Sequence, residues 1–495
     1  MNFTLRFCDK NVLWLIPFSQ SKFAENSLVN SVMKSVLEIP QLNEKLLAQL
    51  QSLPQNPLRT SSWKNFLQSG FPSVKHEEWR FTPLENSLKK IQKVSSANSV
   101  SLPAETEKII AELEPIDAYK IILVNGKPIS LTPNPSPKER GTDATNAATV
   151  SFPLGEGVRM GLSGKNDFEL LSLKEAQKNS PELLTEHFGK YLTTEKESFN
   201  ALNTALTNDG VFIHLKKNSQ PEKPIHIISV HDNREEGIYS TSRILIVAEE
   251  GAKAHIVETH ISTAEKFSLQ NLGAEIIVKQ NARIEYHLIQ HFSFLEKSEA
   301  SVIDSRQVVL EKDSFCNFTT VSMSGALIRN NLHMLFNAQN GEGHLYGLYL
   351  PSKNELMDNH SLVDHAMPNC FSNEFYKGIM TENGKGVFNG KIMVRKDAQK
   401  TNAYQNNRNL LLSDDAGLNA KPQLEIFADD VKCSHGATSG QLDEDAMFYL
   451  RARGIGEMEA KKLLTLAFAE DVLVQTKHEG LHNQIDKWIE EKLSV

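Results

Sequence analysis

Only four cysteines occur in the 495 residues, Cys8, Cys316, Cys370 and Cys433, and they lie far apart. Thiols this sparse do not make the framework of a disulfide-stapled secreted fold, so a reducing cytoplasm is the expected compartment. No stretch of the sequence approaches the roughly 20 apolar residues that cross a bilayer. The formal net charge is −8 and no basic block stands out, which argues against a general nucleic-acid binder. A phosphate-binding Gly-x-x-x-x-Gly-Lys-Ser/Thr run is also missing. Gly164-Lys165, Gly384-Lys385 and Gly390-Lys391 all lack the hydroxyl residue next, so any ATP hydrolysis belongs to a partner. Aromatic content is 7% with four Trp, little support for the sugar-binding groove of a β-helix carbohydrate-active lyase or hydrolase, the alternative class.

A chain of 495 residues exceeds one ordinary core and predicts several domains or an elongated repeat. Residues 1–30 contain a short apolar stretch behind Arg6 and Lys10, broken by Pro17, and read as an extension or a misassigned start with Met33 as initiator. Residues 31–205 form a helical and mixed N-terminal domain, in which Leu42, Leu46, Leu47 and Leu50 fall at helical spacing. Within it, Glu77-Glu78-Trp79-Arg80-Phe81-Thr82-Pro83 reads as a charged and aromatic surface element. Residues 131–148, rich in Pro, Asn, Ser, Thr and Gly without periodicity, read as a flexible insertion.

From residue 206 to 440 the pattern changes to short β-rich runs, among them 243–248, 254–259, 274–278, 283–289, 308–310, 318–321, 332–336 and 344–350. Turn signals at Glu250-Gly251, Gln280-Asn281, Lys312-Asp313 and Asn340-Gly341 recur at about thirty residues, and Asn383-Gly384 and Asp414-Asp415 continue the series. Strands without intervening helices over so long a stretch favour a stacked solenoid over a sandwich. Asn402, Gln405, Asn406, Asn407 and Asn409 cluster near one turn, with a structural role as amides bridging neighbouring coils. Residues 441–495 become helical again: Ala460, Leu463, Leu464, Ala467 and Phe468 make an apolar stripe, and Leu481, Ile485, Trp488 and Ile489 mark a second helix.

The chemistry concentrates at Cys433-Ser434-His435. On a strand, Cys433 and His435 face one way and Ser434 the other, bringing a soft sulfur beside an imidazole nitrogen. That pair suits iron or zinc rather than magnesium or calcium, but two ligands do not complete a site. The adjacent Asp429 and Asp430 point to opposite faces of a strand, which favours a turn or interface role over paired acid–base catalysis. Cys370, after Pro368-Asn369, reads as a packed turn residue, and nearby His360 and His365 are discounted as ligands in the same way.

Several runs in this order resemble the SufB/SufD family of iron–sulfur cluster assembly scaffolds. They are Phe199-Asn200-Ala201-Leu202-Asn203, Pro368-Asn369-Cys370, Gly386-Val387-Phe388-Asn389-Gly390-Lys391-Ile392, Lys421-Pro422-Gln423-Leu424-Glu425-Ile426, the Cys433 segment, and Phe448-Tyr449-Leu450-Arg451-Ala452-Arg453-Gly454. Ser434-His435-Gly436-Ala437-Thr438, in place of an acidic motif, resembles the SufD branch. The resemblance implies a right-handed parallel β-helix core with N-terminal and C-terminal helical domains, acting as a non-catalytic scaffold in the cytoplasm. It further implies a heterodimer with a SufB-like paralogue, a homodimer in isolation, a docked SufC-like ABC ATPase, and apo iron–sulfur proteins as indirect recipients. The implied cofactor is a transient iron–sulfur cluster shared with the partner subunit, with room for a reduced flavin in the complex. By the same resemblance His435 and Cys433 are the cluster ligands, and Leu463, Leu464, Ala467 and Phe468 form the ATPase-docking helix.

Overall fold

The computed structural model describes residues 36–95, 106–107, 110, 116–132, 158–160, 167–292, 299–476 and 478–493. The expected N-terminal extension, Met33 and residues 133–148 of the expected insertion lie outside the described residues; residues 131–132 close a strand, Lys127–Thr132.

The centre is a parallel β-helix of about 7 turns, each contributing one strand to each of two facing sheets. In the first sheet Ile238–Ala248, Ser268–Val278, Ala300–Leu310, Leu327–Phe336, Leu356–His365 and Lys385–Val394 pair in that order. The second sheet runs Lys253–Ser262, Arg283–His291, Phe315–Ser324, Glu342–Tyr349, Phe371–Met380, Asn402–Leu411 and finally Lys432–Gly440. Every one of these neighbours is parallel, so equivalent residues stack into ladders along the axis. One first-sheet ladder is Ile246, Ile276, Val308, Met334, Val363 and Ile392, all buried between the sheets. Burying such a side chain contributes roughly 1.5–3 kcal/mol, and repetition along the axis extends the gain from coil to coil.

The turn signals are the corners of this helix. Asn218, Gly251, Asn281, Asp313, Asn340, Asn369 and Lys400 all have positive φ, a region that Gly, Asn and Asp enter at least cost. Each donates its backbone N–H to a carbonyl of the next corner: Gly251 to Gln280, Asn281 to Lys312, Asn340 to Pro368. Asn383-Gly384 and Asp414-Asp415, read in sequence as the same series, belong to the opposite corner, where second-sheet strands return to the first sheet. Asn369 and Lys400 are the true continuation.

The amide cluster is displaced in a similar way: it lies along the strand Asn402–Leu411, not at a turn. Its inward members bridge coils, Gln405 Nε2 donating to Glu374 (2.7 Å) and Asn409 Nδ2 to the Thr438 carbonyl (3.1 Å). Tyr349 donates its hydroxyl to Asn409 Oδ1 (2.6 Å).

Helices cover the outer faces. The helix Pro40–Gln51 buries Leu42, Leu46 and Leu50, and Asn56 caps Pro57–Ser69 by accepting the Arg59 N–H. Together with Trp79, Phe199 and Leu202 they pack on Tyr239, Leu269 and Ile303 of the first sheet. On the other side, Val472, Leu481, Ile485 and Trp488 cover Val257, Ile289, Val321 and Leu348 of the second sheet. The C-terminal helices Glu457–Leu473 and Glu479–Leu493 therefore lie along the flank of the solenoid. Among the described residues no further strand pairs with the end, at Lys432–Gly440.

Candidate functional site

Among the described residues, the last second-sheet strand, Lys432–Gly440, pairs on one edge only, with Asn402–Leu411. Its register sets Cys433 on Ala403 and His435 on Gln405, both of which face the core. Ser434 pairs instead with Tyr404, whose ring is outside. Cys433 and His435 thus share the inner face, Cys433 half-buried against the core and His435 exposed above the last coil.

Each stands at the end of a ladder. Cys433 follows Ile284, Cys316, Gly343, Ser372 and Ala403. His435 follows Tyr286, Phe318, Leu345, Glu374 and Gln405. This second ladder is aromatic and aliphatic for three coils, with the Tyr286 and Phe318 rings stacked 4.7 Å apart, and then turns polar. Glu374 is fully buried, and its carboxyl is pushed up to about 7 by burial against the opposing pull of Ser361 and Gln405. A Cβ on Gly390 would run into the Gln405 amide nitrogen, so the opposite sheet needs glycine there.

The donor set fits a soft or borderline metal: one sulfur, one imidazole nitrogen and open space beyond the strand. Burial pushes the Cys433 thiol up, only partly offset by the Ala403 backbone. In the free chain Cys433 is a thiol, and metal binding has to displace its proton. A role as a sulfane-sulfur acceptor requires a lowered pKa, and the environment shifts it the opposite way.

The other sequence candidates divide clearly. The Cys370 thiol is buried, contacts the Ala338 and Pro368 carbonyls and is pushed up to about 11 by burial, as a packed turn residue should be. His365 stacks on Phe336 at 4.3 Å, and burial lowers it to about 3. Asp429 and Asp430 form a bend; the Asp430 carbonyl accepts the Lys400 N–H (2.6 Å).

The predicted docking stripe splits around its helix. Leu463 and Ala467 are exposed and Leu464 is half-buried. Phe468 turns to the solenoid, under the Lys377 ammonium at 4.1 Å. The buried face is Ala460, Thr465, Ala469, Val472 and Leu473. Phe448, Tyr449 and Met458 were absent from the predicted stripe and are more exposed than Leu463. A cleft of about 850 Å³, lined by Met447 and Phe448, opens between Leu411–Asp414 and the helices. The signal of these exposed residues in sequence was large apolar side chains, Phe448 and Tyr449 on the helix Glu444–Ala452 and Met458 in the first turn of Glu457–Leu473.

The Glu77–Trp79 segment is no free surface element. Arg329 lies 3.9 Å over the Trp79 ring and 2.7 Å from Asp358, which also accepts the Thr82 hydroxyl. His360 sits between Asp358 (3.0 Å) and Glu78 (3.3 Å), and its hydrogen bond holds the Glu78 carboxyl down at about 2. His360 is thus an anchor for the N-terminal domain. Among the described residues, one group of three could also hold a metal, Glu470, His482 and Asp486. There His482 Nε2 already lies 3.2 Å from both carboxylates, an ion-pair arrangement that ties adjacent helices.

A parallel β-helix flanked by helices carries a thiol and an imidazole on one face of its last strand, a donor pair of the kind that binds soft or borderline metals. Comparison with known proteins gives its class. Residues 230–468 match the SUF system FeS cluster assembly, SufBD core domain, and residues 164–227 match the SufBD protein N-terminal region. The chain is 28% identical over 441 residues to the iron–sulfur cluster assembly protein SufD of Escherichia coli, covering 89% of this chain and 93% of that one. It is 30% identical over 425 residues to an iron–sulfur cluster assembly SufBD family protein of Synechocystis, covering 84% and 86%. SufD of Bacillus subtilis matches at 29% over 325 residues, covering 64% and 72%. The chain belongs to the SufBD family of iron–sulfur cluster assembly proteins, and its likeness is to the SufD branch. The carbohydrate-enzyme alternative finds no support in these relatives.

Proposed function

We propose that this chain is the SufD-type scaffold subunit of a cluster-assembly complex, pairing through the open end of its β-helix with a SufB-like paralogue. The observation that carries the reading is the unpaired edge of Lys432–Gly440 with Cys433 and His435 on its inner face. An open edge offers backbone donors and acceptors to another strand, and exposed Tyr404, Ile426 and Phe427 add apolar surface around it. The nascent cluster is cargo here, held by His435 and Cys433 from one side and by the partner from the other. Incomplete thiolate ligation suits cargo, because a closed four-cysteine cage would retain it. His435, exposed and without a proton to displace once neutral, is the primary ligand; Cys433 joins when its proton leaves.

His435→Ala should lower iron and sulfide content of the anaerobically purified complex by more than about tenfold, with circular dichroism and partner co-purification unchanged. Unchanged loading would remove the ligand assignment.

The ATPase is assigned to the exposed apolar surface of Phe448, Tyr449, Met458 and Leu463 beside the cleft, with Ala467 at its margin. Phe468 supports the helix from behind, and Leu464 is half-buried beside it. Leu463→Glu should weaken capture of the ATPase about tenfold or more, the cost of placing a charge in an apolar contact. Equal recovery of the ATPase from both proteins would move the docking surface elsewhere.

A further inference from the structure

We propose that Gln405 is the positioning residue of His435, accepting on its side-chain carbonyl the ring N–H that His435 does not present to the metal. The inference rests on His435 being a ligand, and it adds the group that fixes which imidazole nitrogen is free. Glu374, Gln405 and His435 are consecutive rungs of one inward ladder, joined in register across three parallel strands. Neighbouring strands in such a sheet lie about 4.8 Å apart, so consecutive side chains on one face are within reach of one another.

Gln405 is 2% exposed and its two amide arms are treated differently. Nε2 donates to Glu374 Oε2 at 2.7 Å, back along the solenoid. Oε1 is buried and has no hydrogen-bond partner among the described residues. A buried carbonyl left unpaired costs about 1–3 kcal/mol, so this oxygen is an acceptor that a ring N–H on the next rung would satisfy in the free chain as well as in the complex. With the nitrogen held by Glu374, the oxygen is turned from that carboxyl, and His435 is the next inward side chain toward the open end. A histidine ligand commonly gives its second ring N–H to a carbonyl or carboxylate, which fixes the tautomer and the ring plane. Gly390 keeps the amide in place, since any Cβ there would displace its nitrogen. Glu374 acts one step further back by holding the amide the right way round.

The test uses the full-length apo chain carrying ¹⁵N-labelled histidine, with the His435 signals assigned from His435→Gln. Long-range ¹H–¹⁵N correlations should show one dominant tautomer in the parent chain and a mixture in Gln405→Leu. Gln405→Glu, which restores an acceptor, should restore the single tautomer. If the leucine destabilises the coil by stranding Glu374, Gln405→Leu/Glu374→Leu removes the stranded carboxyl and should show the same mixture. Iron loading of the complex should weaken about 10–100-fold in Gln405→Leu. An identical tautomer in parent and both leucine variants overturns the proposal. The ligand reading fails separately: if His435→Ala leaves iron and sulfide loading unchanged while the tautomer still responds to Gln405, the hydrogen bond stands and the metal role falls.

Discussion

Arg306→Leu should lower the unfolding free energy by about 3–5 kcal/mol at neutral pH, the range for removing one partner from a buried ion pair. Arg306 lies in the interior of the solenoid, its NH1 2.6 Å from Glu258 and its NH2 2.7 Å from Asp304, all three side chains at most 2% exposed. The same guanidinium reaches the Tyr286 hydroxyl at 2.8 Å, and that hydroxyl donates to Glu258. Burial alone would raise the Glu258 carboxyl, yet Arg306 and the hydrogen bond from His260 hold it well below its ordinary value. Asp304 is pushed up by burial, with Arg306 opposing. Without the arginine, burial dominates at both carboxyls.

That reversal gives the prediction its pH signature. In the parent chain the depressed Glu258 contributes stability that is present above the unfolded carboxylate pKa of about 4.3 and is lost as pH falls through the lower folded value. In Arg306→Leu the folded carboxyls take up protons more readily than the unfolded ones, so acid favours the folded variant. The gap between parent and variant, read from urea midpoints, should therefore narrow from pH 7.5 towards pH 4.5. Replacing all three groups by leucine should recover much of the loss, because no uncompensated charge remains. A single-variant loss below about 1 kcal/mol, or a gap that widens in acid, would mean that the network does not hold Glu258 ionised.

The same cluster explains what the sequence hid. Residues 308–310 were legible as a strand, but the strand is Ala300–Leu310. Its middle, Asp304-Ser305-Arg306-Gln307, is polar and nevertheless buried on both faces. Alternation cannot reveal a strand whose inward charges are satisfied by the next coil and whose outward side is covered by a helical domain. The corners were legible because left-handed backbone favours Gly, Asn and Asp, residues with a strong signal; Lys400 at the same corner carries none. At the site, alternation correctly set Cys433 beside His435. Glu374 went unnoticed because it is 61 positions away in sequence (435 − 374), and only the thirty-residue coil brings it two rungs below the histidine. The apolar stripe divides once the fold is known: helical periodicity identifies an apolar face, but Phe468 and Leu463 fall on different sides because Lys377 and the second sheet claim Phe468.

Glu374→Gln should make the protein more stable above neutral pH, by about 3 kcal/mol at pH 8, while leaving stability at pH 4.5 nearly unchanged. The sign follows from a carboxyl whose folded value is about 7 against 4.5 for the free group. Between these values the folded chain keeps a proton that the unfolded chain has released. Stability from this group is complete below about pH 4.5 and is lost as pH rises through 7. Glutamine is close to the shape of the protonated acid and carries no charge to desolvate, so the variant escapes that loss. Urea midpoints of both proteins from pH 4.5 to 8 would show a difference that opens with pH; a constant offset would mean that Glu374 titrates normally. The variant also separates two roles of this rung. Glutamine at 374 can still accept from Gln405 Nε2 through its own carbonyl, so the amide beneath His435 keeps its orientation and cluster loading should persist. If loading fell while stability rose, the negative charge of Glu374 would be required at the open end, and retaining an ionisable group at a buried rung would be a cost to the fold accepted for the site it supports.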